Sequence, residues 1–390
     1  MLGRHASIVV VSIQTMLAFC LPTLPTPLYR LYESQLHFSV LMLTFIFSAY
    51  IIGTLSTLLF LGNLSDQWGR RRITLIGIGM SMLTMLLFIF ARNVFMLFLA
   101  RVCTGLSTGV MSGTVIAWMR DLHDQADKRS AALRSVTTNI LGLGLGPLVA
   151  GLLVAFAPHP LTLVYWVFIG LFTLQALAVW RTEETVERQA RTLSLKPELG
   201  LPPELRIKFL SPAISVFSLF SLVGFYSAII PSLLAKTLHL PSPATTGAVV
   251  FTLFAAGALA VLLTRKVKSW PAMLSGASLM LPTLLLVVLA QRLHSLGALL
   301  AGTVLGGAAI GIGYRGVLEV INQIAPPDQR ASLVSSLFVV GNLSMSIPVI
   351  GIGLTATFTS PTTANYVFAA VIAVFAISGT ILGVKLRTDD

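Results

Sequence analysis

Residues 62–72 read GNLSDQWGRRR, a charged stretch between two apolar runs that are each long enough to cross a bilayer. Three consecutive arginines close the stretch, and Asp66 is the acidic residue before them. Gly62 and Gly69 allow a sharp turn and a close approach of the backbone to its neighbours. Cationic residues in short loops mark the cytoplasmic side of a membrane. The stretch therefore predicts a cytoplasmic connection between two membrane helices.

The composition excludes a soluble globular protein with a polar surface. Hydrophobic residues make up 55% of the chain and charged residues 10%, and the mean hydropathy is +0.88. The formal charge of +12 is explained by basic residues between membrane segments, so no nucleic-acid partner is expected. Cys20 and Cys103 both fall in apolar runs, where we expect small packing residues and neither a disulfide nor a metal site.

Twelve apolar runs have close to the ~20 residues that a helix needs to cross about 30 Å of hydrocarbon. We call them segments 1 to 12: residues 8–28, 39–61, 73–91, 94–118, 131–157, 161–180, 210–234, 244–264, 271–290, 295–318, 331–357 and 363–384. Segment 1 lacks the short apolar region and cleavage site of a signal peptide, so we expect it to be retained. The chain is predicted to be an all-α membrane protein.

The basic residues predict the orientation. If the N-terminus is cytoplasmic, four of the 26 Lys and Arg lie in outer connections: Arg30, Arg92, Lys236 and Arg292. Two others, Arg101 and Arg315, lie within segments. The remaining 20, which is 26 less these six, lie in the inner connections and termini. Because Lys and Arg favour the cytoplasmic side, we expect a multi-pass protein of the plasma (inner) membrane with both termini inside.

A long hydrophilic interval, residues 181–209, predicts a cytoplasmic linker between an N-terminal six-helix half, residues 1–180, and a C-terminal half, residues 210–390. An internal repeat supports two halves. At a constant offset of 201, four residues of segments 4 and 5 and the loop between them match four of segments 10 and 11 and their loop: Gly105 with Gly306, Asp127 with Asp328, Arg129 with Arg330, and Pro147 with Pro348. Val267 stands opposite Asp66, so any switch in the charged stretch is expected in the first half.

The charged stretch resembles the major facilitator superfamily signature, G-x-L-x-D-x-x-G-R-R-x, through Gly62, Leu64, Asp66, Gly69, Arg70 and Arg71. The resemblance implies the major facilitator fold, with twelve transmembrane helices in two pseudo-symmetric six-helix halves. It also implies a conformational switch formed by Gly62, Asp66, Gly69, Arg70 and Arg71, with Asp66 facing the start of segment 11.

Segments 4 and 5 carry two further resemblances. Arg101 with Gly105 and Gly109 resembles the fourth-helix motif, which the superfamily ties to proton movement. The fifth-helix pattern of drug/proton antiporters is matched by Gly142, Gly146, Pro147 and Gly151, which suggest a hinge; ordinary packing through small residues is the open alternative.

Arg101 is a cation inside a membrane segment and needs partners there. Three prolines in segment 1, at 22, 25 and 27, cannot donate to the carbonyls four residues earlier, which are those of Ala18, Leu21 and Thr23. We therefore expect Arg101 to bond segment 1. A structural role and a proton-handling role are both open.

Arg315 and Glu319 lie four residues apart on segment 10, hence on one face of a helix. They are either a self-neutralising pair at the interface or a coupling site in which Glu319 binds and releases protons. Glu33, at the outer end of segment 1, is a further proton-coupling candidate.

By resemblance, segments 1, 4, 7 and 10 line a central cavity, whose substrate candidates are Gln14, Thr108, Ser112, Phe220, Tyr226 and Tyr314. Packing is the alternative role of each.

The function expected from these patterns is secondary active transport by alternating access, with proton-coupled efflux of a small organic compound in first place. Proton-coupled uptake of a nutrient or metabolite is the alternative on the same fold.

A membrane enzyme acting on lipid-linked substrates would need the polar cluster Asp121, His123, Asp124 and Asp127. Nucleotide-binding and metalloenzyme motifs are missing, so we expect no enzyme, cofactor or metal. The expected partners are a small-molecule substrate, protons and the lipid bilayer, and we expect a monomer.

Overall fold

The computed structural model describes residues 2–61, 64–123, 128–186, 201–326 and 329–387, and within these ranges the side chains of 128–133 and 331 are left out. All regular elements of these ranges are helical, and they contain no strand. Helices are expected in a bilayer, because its hydrocarbon core holds no water and a helix satisfies its backbone hydrogen bonds within one segment. The all-helical membrane architecture predicted from the sequence is confirmed.

The α-helices are numbered in chain order. They are α1 (Arg4–Cys20), α2 (Tyr29–Leu36), α3 (Val40–Ser48), α4 (Tyr50–Phe60), α5 (Leu64–Trp68), α6 (Arg70–Ile89), α7 (Val94–Asp121), α8 (Lys128–Phe156), α9 (Leu163–Trp180), α10 (Arg206–Ala228), α11 (Ile230–Ser232), α12 (Pro243–Leu263), α13 (Ser269–Arg292), α14 (Leu296–Ile324), α15 (Arg330–Phe358) and α16 (Pro361–Leu386). A turn of π-helix, Leu233–Thr237, follows α11.

Eleven helices of the described chain are long and apolar enough to cross a membrane, and they coincide with segments 2 to 12. Segment 2 comprises α3 and α4 together. Segment 1 corresponds to the shorter apolar helix α1. Side chains such as Phe156, Trp180 and Phe358 are exposed on these helices, as expected of surfaces that meet lipid.

Segment 1 is interrupted where its prolines lie, so the expected continuous span over 8–28 is wrong in detail. Helix α1 ends at Cys20, and turns follow up to a short 3₁₀ helix, Thr26–Leu28, that leads into α2. Pro22, Pro25 and Pro27 each lack the backbone N–H that an α-helix requires. The chain closes local turns instead, with the Thr26 N–H donating to the carbonyl of Thr23 at 3.0 Å.

The chain contains two compact units. Unit 1 comprises Met1–His37 and Ala49–Pro197, and unit 2 comprises Phe38–Ser48 and Glu198–Asp390. Helix α3 therefore belongs to unit 2, where it packs against α15. Gly353 permits this contact, because a Cβ atom at that position would collide with Thr44 of α3.

Glycines allow the closest helix contacts within each unit. In unit 1, α4 and α7 approach so closely that a Cβ atom on Gly53 or Gly105 would overlap the backbone of the other helix. In unit 2, α12 and α14 pack in the same way through Gly307 and Gly311. Small residues serve this purpose in membranes because dispersion contacts replace the hydrophobic effect between helices.

We expect Gly105→Ala to destabilise the protein. The new methyl group would overlap the carbonyl oxygen of Tyr50, and overpacking of this kind costs about 1–3 kcal/mol. Gly113→Ala on the same helix is the matched control, because nothing lies within 4 Å of its added Cβ. Thermal unfolding of both variants in detergent should show a lower midpoint for Gly105→Ala alone. Equal midpoints would contradict this account of the α4–α7 contact.

Candidate functional site

The charged stretch folds around a turn that requires glycine. Gly69 separates α5 from α6 and has a φ of 96°, a left-handed conformation that side chains other than glycine rarely adopt. It also lies against the carboxylate of Glu184, which a Cβ atom would strike. The turn places Arg70 at the first position of α6. Gly62 lies outside the described residues.

Arg70 is the centre of a buried ionic cluster. Its side chain is 6% exposed and forms ion pairs with Asp66, one turn earlier, and with Asp121 at the end of α7. The Nε–Oδ2 distance to Asp121 is 3.0 Å, and a third nitrogen donates to the hydroxyl of Ser65 at 2.7 Å. A buried guanidinium needs several such acceptors to offset its lost hydration. The arrangement fixes α5, α6 and the end of α7 to one another.

Glu184, just beyond the end of α9, binds the N-terminus of α6. Its two carboxylate oxygens accept the backbone N–H groups of Arg70 at 2.9 Å and Arg71 at 3.1 Å. The first N–H groups of a helix have no partner within the helix, and the helix dipole favours an anion there. Arg71 reaches back to the carbonyls of Trp180 and Thr182, both at 3.4 Å. The beginning of the linker is thereby held against the charged stretch.

Arg101 lies fully buried on α7 and bonds segment 1, as expected. Its Nη1 atom donates to the carbonyl oxygen of Pro22 at 2.8 Å, which is a different carbonyl from the three expected from the proline spacing. In a regular helix the Pro22 carbonyl would accept from Thr26, but that N–H bonds Thr23 in the local turn. The guanidinium also lies 5.0 Å from the ring centre of Tyr50, a cation–π distance.

Helix α8 packs on α1 at the positions predicted to form a hinge. Cβ atoms on Gly142 and Gly146 would collide with the carbonyls of Met16 and Cys20. Pro147 lies within α8 without ending it, and leaves the carbonyl of Leu143 without its helical donor. The hydroxyl of Thr23 supplies the missing hydrogen bond at 2.8 Å. Gly151 is buried further along the same helix.

Arg315 and Glu319 form the predicted pair on α14. Their closest nitrogen–oxygen distance is 3.1 Å, and the side chains are 11% and 42% exposed, respectively. Arg315 also donates to the carbonyl of Val267 at 3.1 Å. Val267 occupies the position that matches Asp66 in the repeat, so in unit 2 this loop is bound by an arginine from α14. Glu33 is half-buried on α2.

The substrate candidates fall into different environments. Gln14 is fully buried and contacts the sulfur of Met111 at 3.1 Å, while its Oε1 atom has no hydrogen-bond partner among the described residues. The Thr108 hydroxyl is likewise buried without a partner in that part of the chain. Ser112, on α7, donates to the carbonyl of Gly109 at 3.1 Å in its own helix.

The three aromatic candidates belong to unit 2. Phe220 and Tyr314 contact each other, with ring centres 4.9 Å apart, and both are half-buried. Tyr226 is fully buried and shares a hydrogen bond of 2.9 Å with Thr303. Its hydroxyl is already satisfied, which favours a packing role for Tyr226.

A sequence profile described as Major Facilitator Superfamily matches residues 8–349. The chain belongs to this superfamily. Among curated relatives, the multidrug resistance protein MdtL of Vibrio parahaemolyticus is 27% identical over 168 residues, 43% of this chain and 40% of that protein. The class B tetracycline resistance protein of Escherichia coli is 31% identical over 150 residues, 36% of this chain and 34% of that protein. The chain thus spans about two fifths of the length of the curated relatives it matches.

Solved structures of the superfamily share the fold over the whole chain. The nucleoside transporter NupG superposes with a TM-score of 0.76 at 14% identity, covering 96% of this chain and 99% of that one. The human organic anion transporter MFSD10 gives a TM-score of 0.69 at 16% identity, covering 99% and 100%. At such identities the likeness establishes the fold, and the expectation of a major facilitator fold is confirmed.

The superfamily signature identified Asp66, Gly69 and Arg70 but missed Glu184. A buried arginine in an inner loop requires carboxylates on the same side of the membrane, and the sequence offers several of them without showing which one makes the contact.

Asp121 and His123 belong to the polar cluster that a membrane enzyme would need. Asp121 bonds Arg70, and the Nδ1 atom of His123 lies 2.7 Å from the carbonyl of Met119. Asp124 and Asp127 lie outside the described residues. Membership of a transporter superfamily overturns the enzyme alternative.

We expect Glu184→Gln to lower the thermal stability of the protein. The amide can offer only one acceptor oxygen to the N-terminus of α6 and loses the charge that the helix dipole favours, worth about 0.3–1 kcal/mol and up to ~2 kcal/mol when partly buried. Glu183→Gln is the matched control, because the exposed Glu183 contributes its backbone carbonyl, which accepts from Trp118 at 3.2 Å. Unfolding midpoints in detergent test this. A midpoint for Glu184→Gln equal to that of Glu183→Gln would contradict it.

Proposed function

We propose that the protein is a secondary active transporter that exports a small organic compound in exchange for protons. The observation that carries this proposal is the superfamily match over residues 8–349. The names of two relatives, multidrug resistance and tetracycline resistance proteins, favour efflux of an organic compound. The buried amide of Gln14 and hydroxyl of Thr108 offer hydrogen bonds to a substrate once they become accessible.

In this proposal two six-helix halves, residues 1–180 and 210–390, rock about a substrate site near the middle of the membrane. The cluster of Gly69, Arg70 and Asp66 acts as the switch on the inner side, and the 55% exposure of Asp66 would allow this carboxylate to exchange Arg70 for another partner. Gly142, Gly146 and Pro147 let α8 move against α1. We further propose that the protein is a monomer of the inner membrane. The distribution of its basic residues supports an orientation with both termini in the cytoplasm.

Flux in liposomes tests this proposal. Purified protein would be reconstituted with tetracycline as the probe, under an imposed pH gradient. An antiporter accumulates the probe when the lumen is acidic, in either orientation of the protein, whereas a symporter does so when the outside is acidic. One-to-one exchange supports about tenfold accumulation per pH unit, since a tenfold ratio equals about 1.4 kcal/mol. Accumulation under outside acid would favour uptake. A panel of other organic cations and anions extends the test if tetracycline is not carried.

The pair on α14 decides between two roles for Glu319. If Glu319 couples protons to transport, Glu319→Gln combined with Arg315→Leu should abolish gradient-driven accumulation while downhill exchange continues. If the pair is structural, Glu319→Gln alone leaves a mostly buried cation uncompensated and lowers stability, while the double variant recovers both stability and driven flux. We expect the second outcome, because Arg315 pairs with Glu319 and also donates to the carbonyl of Val267. Driven flux retained in the double variant would eliminate Glu319 as the coupling group.

Arg101→Lys should impair transport by about tenfold. Lysine keeps the charge but has neither the planar fork that reaches the Pro22 carbonyl nor the flat surface that stacks on Tyr50. A hydrogen bond to a charged group contributes about 1.5–3 kcal/mol. Initial flux rates of Arg101→Lys and the parent would be compared in the same liposomes. Parent-like flux would show that the charge of Arg101 is sufficient without its geometry.

A further inference from the structure

Two histidines of unit 2 meet at the ends of different helices. His239 lies between the π-helical turn and α12, and His294 lies between α13 and α14. Their rings are 6.4 Å apart between centres and nearly parallel, with an interplanar angle of 2°. Both side chains are exposed. The sequence places them 55 positions apart, so no sequence spacing indicated the pair.

The backbone presents both imidazoles in a fixed way. His239 and His294 have φ values of 57° and 51°, in the left-handed region. The residues after them anchor each turn, since the Leu240 N–H donates to Leu234 at 2.8 Å and the Ser295 N–H donates to Ala290 at 3.0 Å. These bonds satisfy carbonyls at the helix ends. The two Cα atoms are thus held in place while the exposed rings can rotate.

We propose that His239 and His294 form a binding site for a transition-metal ion, in which each contributes one ring nitrogen. Neutral imidazole is the most common metal ligand in proteins. A metal–nitrogen bond is about 2.0–2.1 Å long and lies in the plane of the imidazole. The two rings are stacked 6.4 Å apart, so each would turn about its side-chain bonds to bring one nitrogen to a shared ion, and their exposure allows this. Water completes the coordination at this exposed position. The site shares no residue with those proposed for transport and does not depend on that function.

The ligands and their surroundings determine which ion binds. Lys236 lies three residues before His239 and Arg292 two residues before His294, and the Arg292 guanidinium lies 5.6 Å from the ring centre of Tyr366. These cations weaken the binding of any divalent ion, so the selection comes from the two neutral nitrogen ligands, which suit transition metals and disfavour Ca²⁺ and Mg²⁺, ions that need oxygen ligands. Among divalent ions of the first transition series, affinity for nitrogen ligands is greatest for Cu²⁺. The site is therefore assigned to Cu²⁺ first, with Ni²⁺ and Zn²⁺ binding more weakly.

The test uses the full chain, purified without a polyhistidine tag and titrated with Cu²⁺. Calorimetry gives the stoichiometry and affinity, and electron paramagnetic resonance counts the coordinating nitrogens. The parent should bind one ion with two equivalent nitrogens, and its unfolding midpoint should rise, because the ion binds only where the two turns are assembled. His239→Asn and His294→Asn should each lower the affinity at least tenfold. Asparagine is chosen because it tolerates the left-handed backbone conformation.

The chain supplies matched controls. His37 and His159 share the left-handed conformation, with φ of 53° and 55°, and are exposed. His37→Asn and His159→Asn should leave the affinity unchanged. Equal weakening in all four variants, or none in His239→Asn and His294→Asn, would overturn the assignment. The parent spectrum decides independently of how the variants fold, since coordination by one nitrogen alone would also overturn it.

Discussion

Within hydrocarbon, each backbone carbonyl that loses its helical donor must find another, because no water is present to replace it. The prolines of this chain create such carbonyls at two places in unit 1. The turn after α1 leaves the Pro22 carbonyl to Arg101, and Pro147 leaves the Leu143 carbonyl to Thr23. One buried cation and one hydroxyl thus join α1 and its following turn to α7 and α8. The predicted proton site at Arg101 and the predicted hinge at Pro147 thus share one feature. In each, a side chain donates to a backbone carbonyl that has no helical donor.

The charged stretch depends on a second constraint, namely that a buried charge needs several hydrogen-bond or ion-pair partners. Arg70 is nearly inaccessible yet carries a full charge, and its acceptors come from its own turn and from the end of α7. Glu184 adds a carboxylate at the N-terminus of the same helix. Removing one member of such a set leaves the others with an uncompensated charge, so the cluster is expected to rearrange as a unit. Unit 2 lacks the matching aspartate and binds the corresponding loop through Arg315 instead.

The sequence predicted those features that depend on composition or on spacing along one helix. Hydropathy located the spans because their length is set by the bilayer, and spacing of four residues paired Arg315 with Glu319 because a helix turns once in that distance. It placed Arg101 against segment 1 but did not indicate the Pro22 carbonyl, since the proline rule assumes a helix that the local turns have replaced. The contact of Glu184 with Arg70, 114 positions apart, has no periodic signal. Such contacts depend on which helix ends meet, and this information appears only in three dimensions.

The membership of α3 in unit 2 has a consequence for biosynthesis. Residues 40–48 emerge early from the ribosome, whereas their packing partner α15 is complete only when Phe358 has been made. Through most of translation, the glycine-lined contact at Gly353 that α3 will occupy does not exist. Until α15 has been made, α3 cannot form this contact. A ribosome that stalls before α15 therefore leaves α3 without its main packing partner, although the earlier helix α10 also contacts α3.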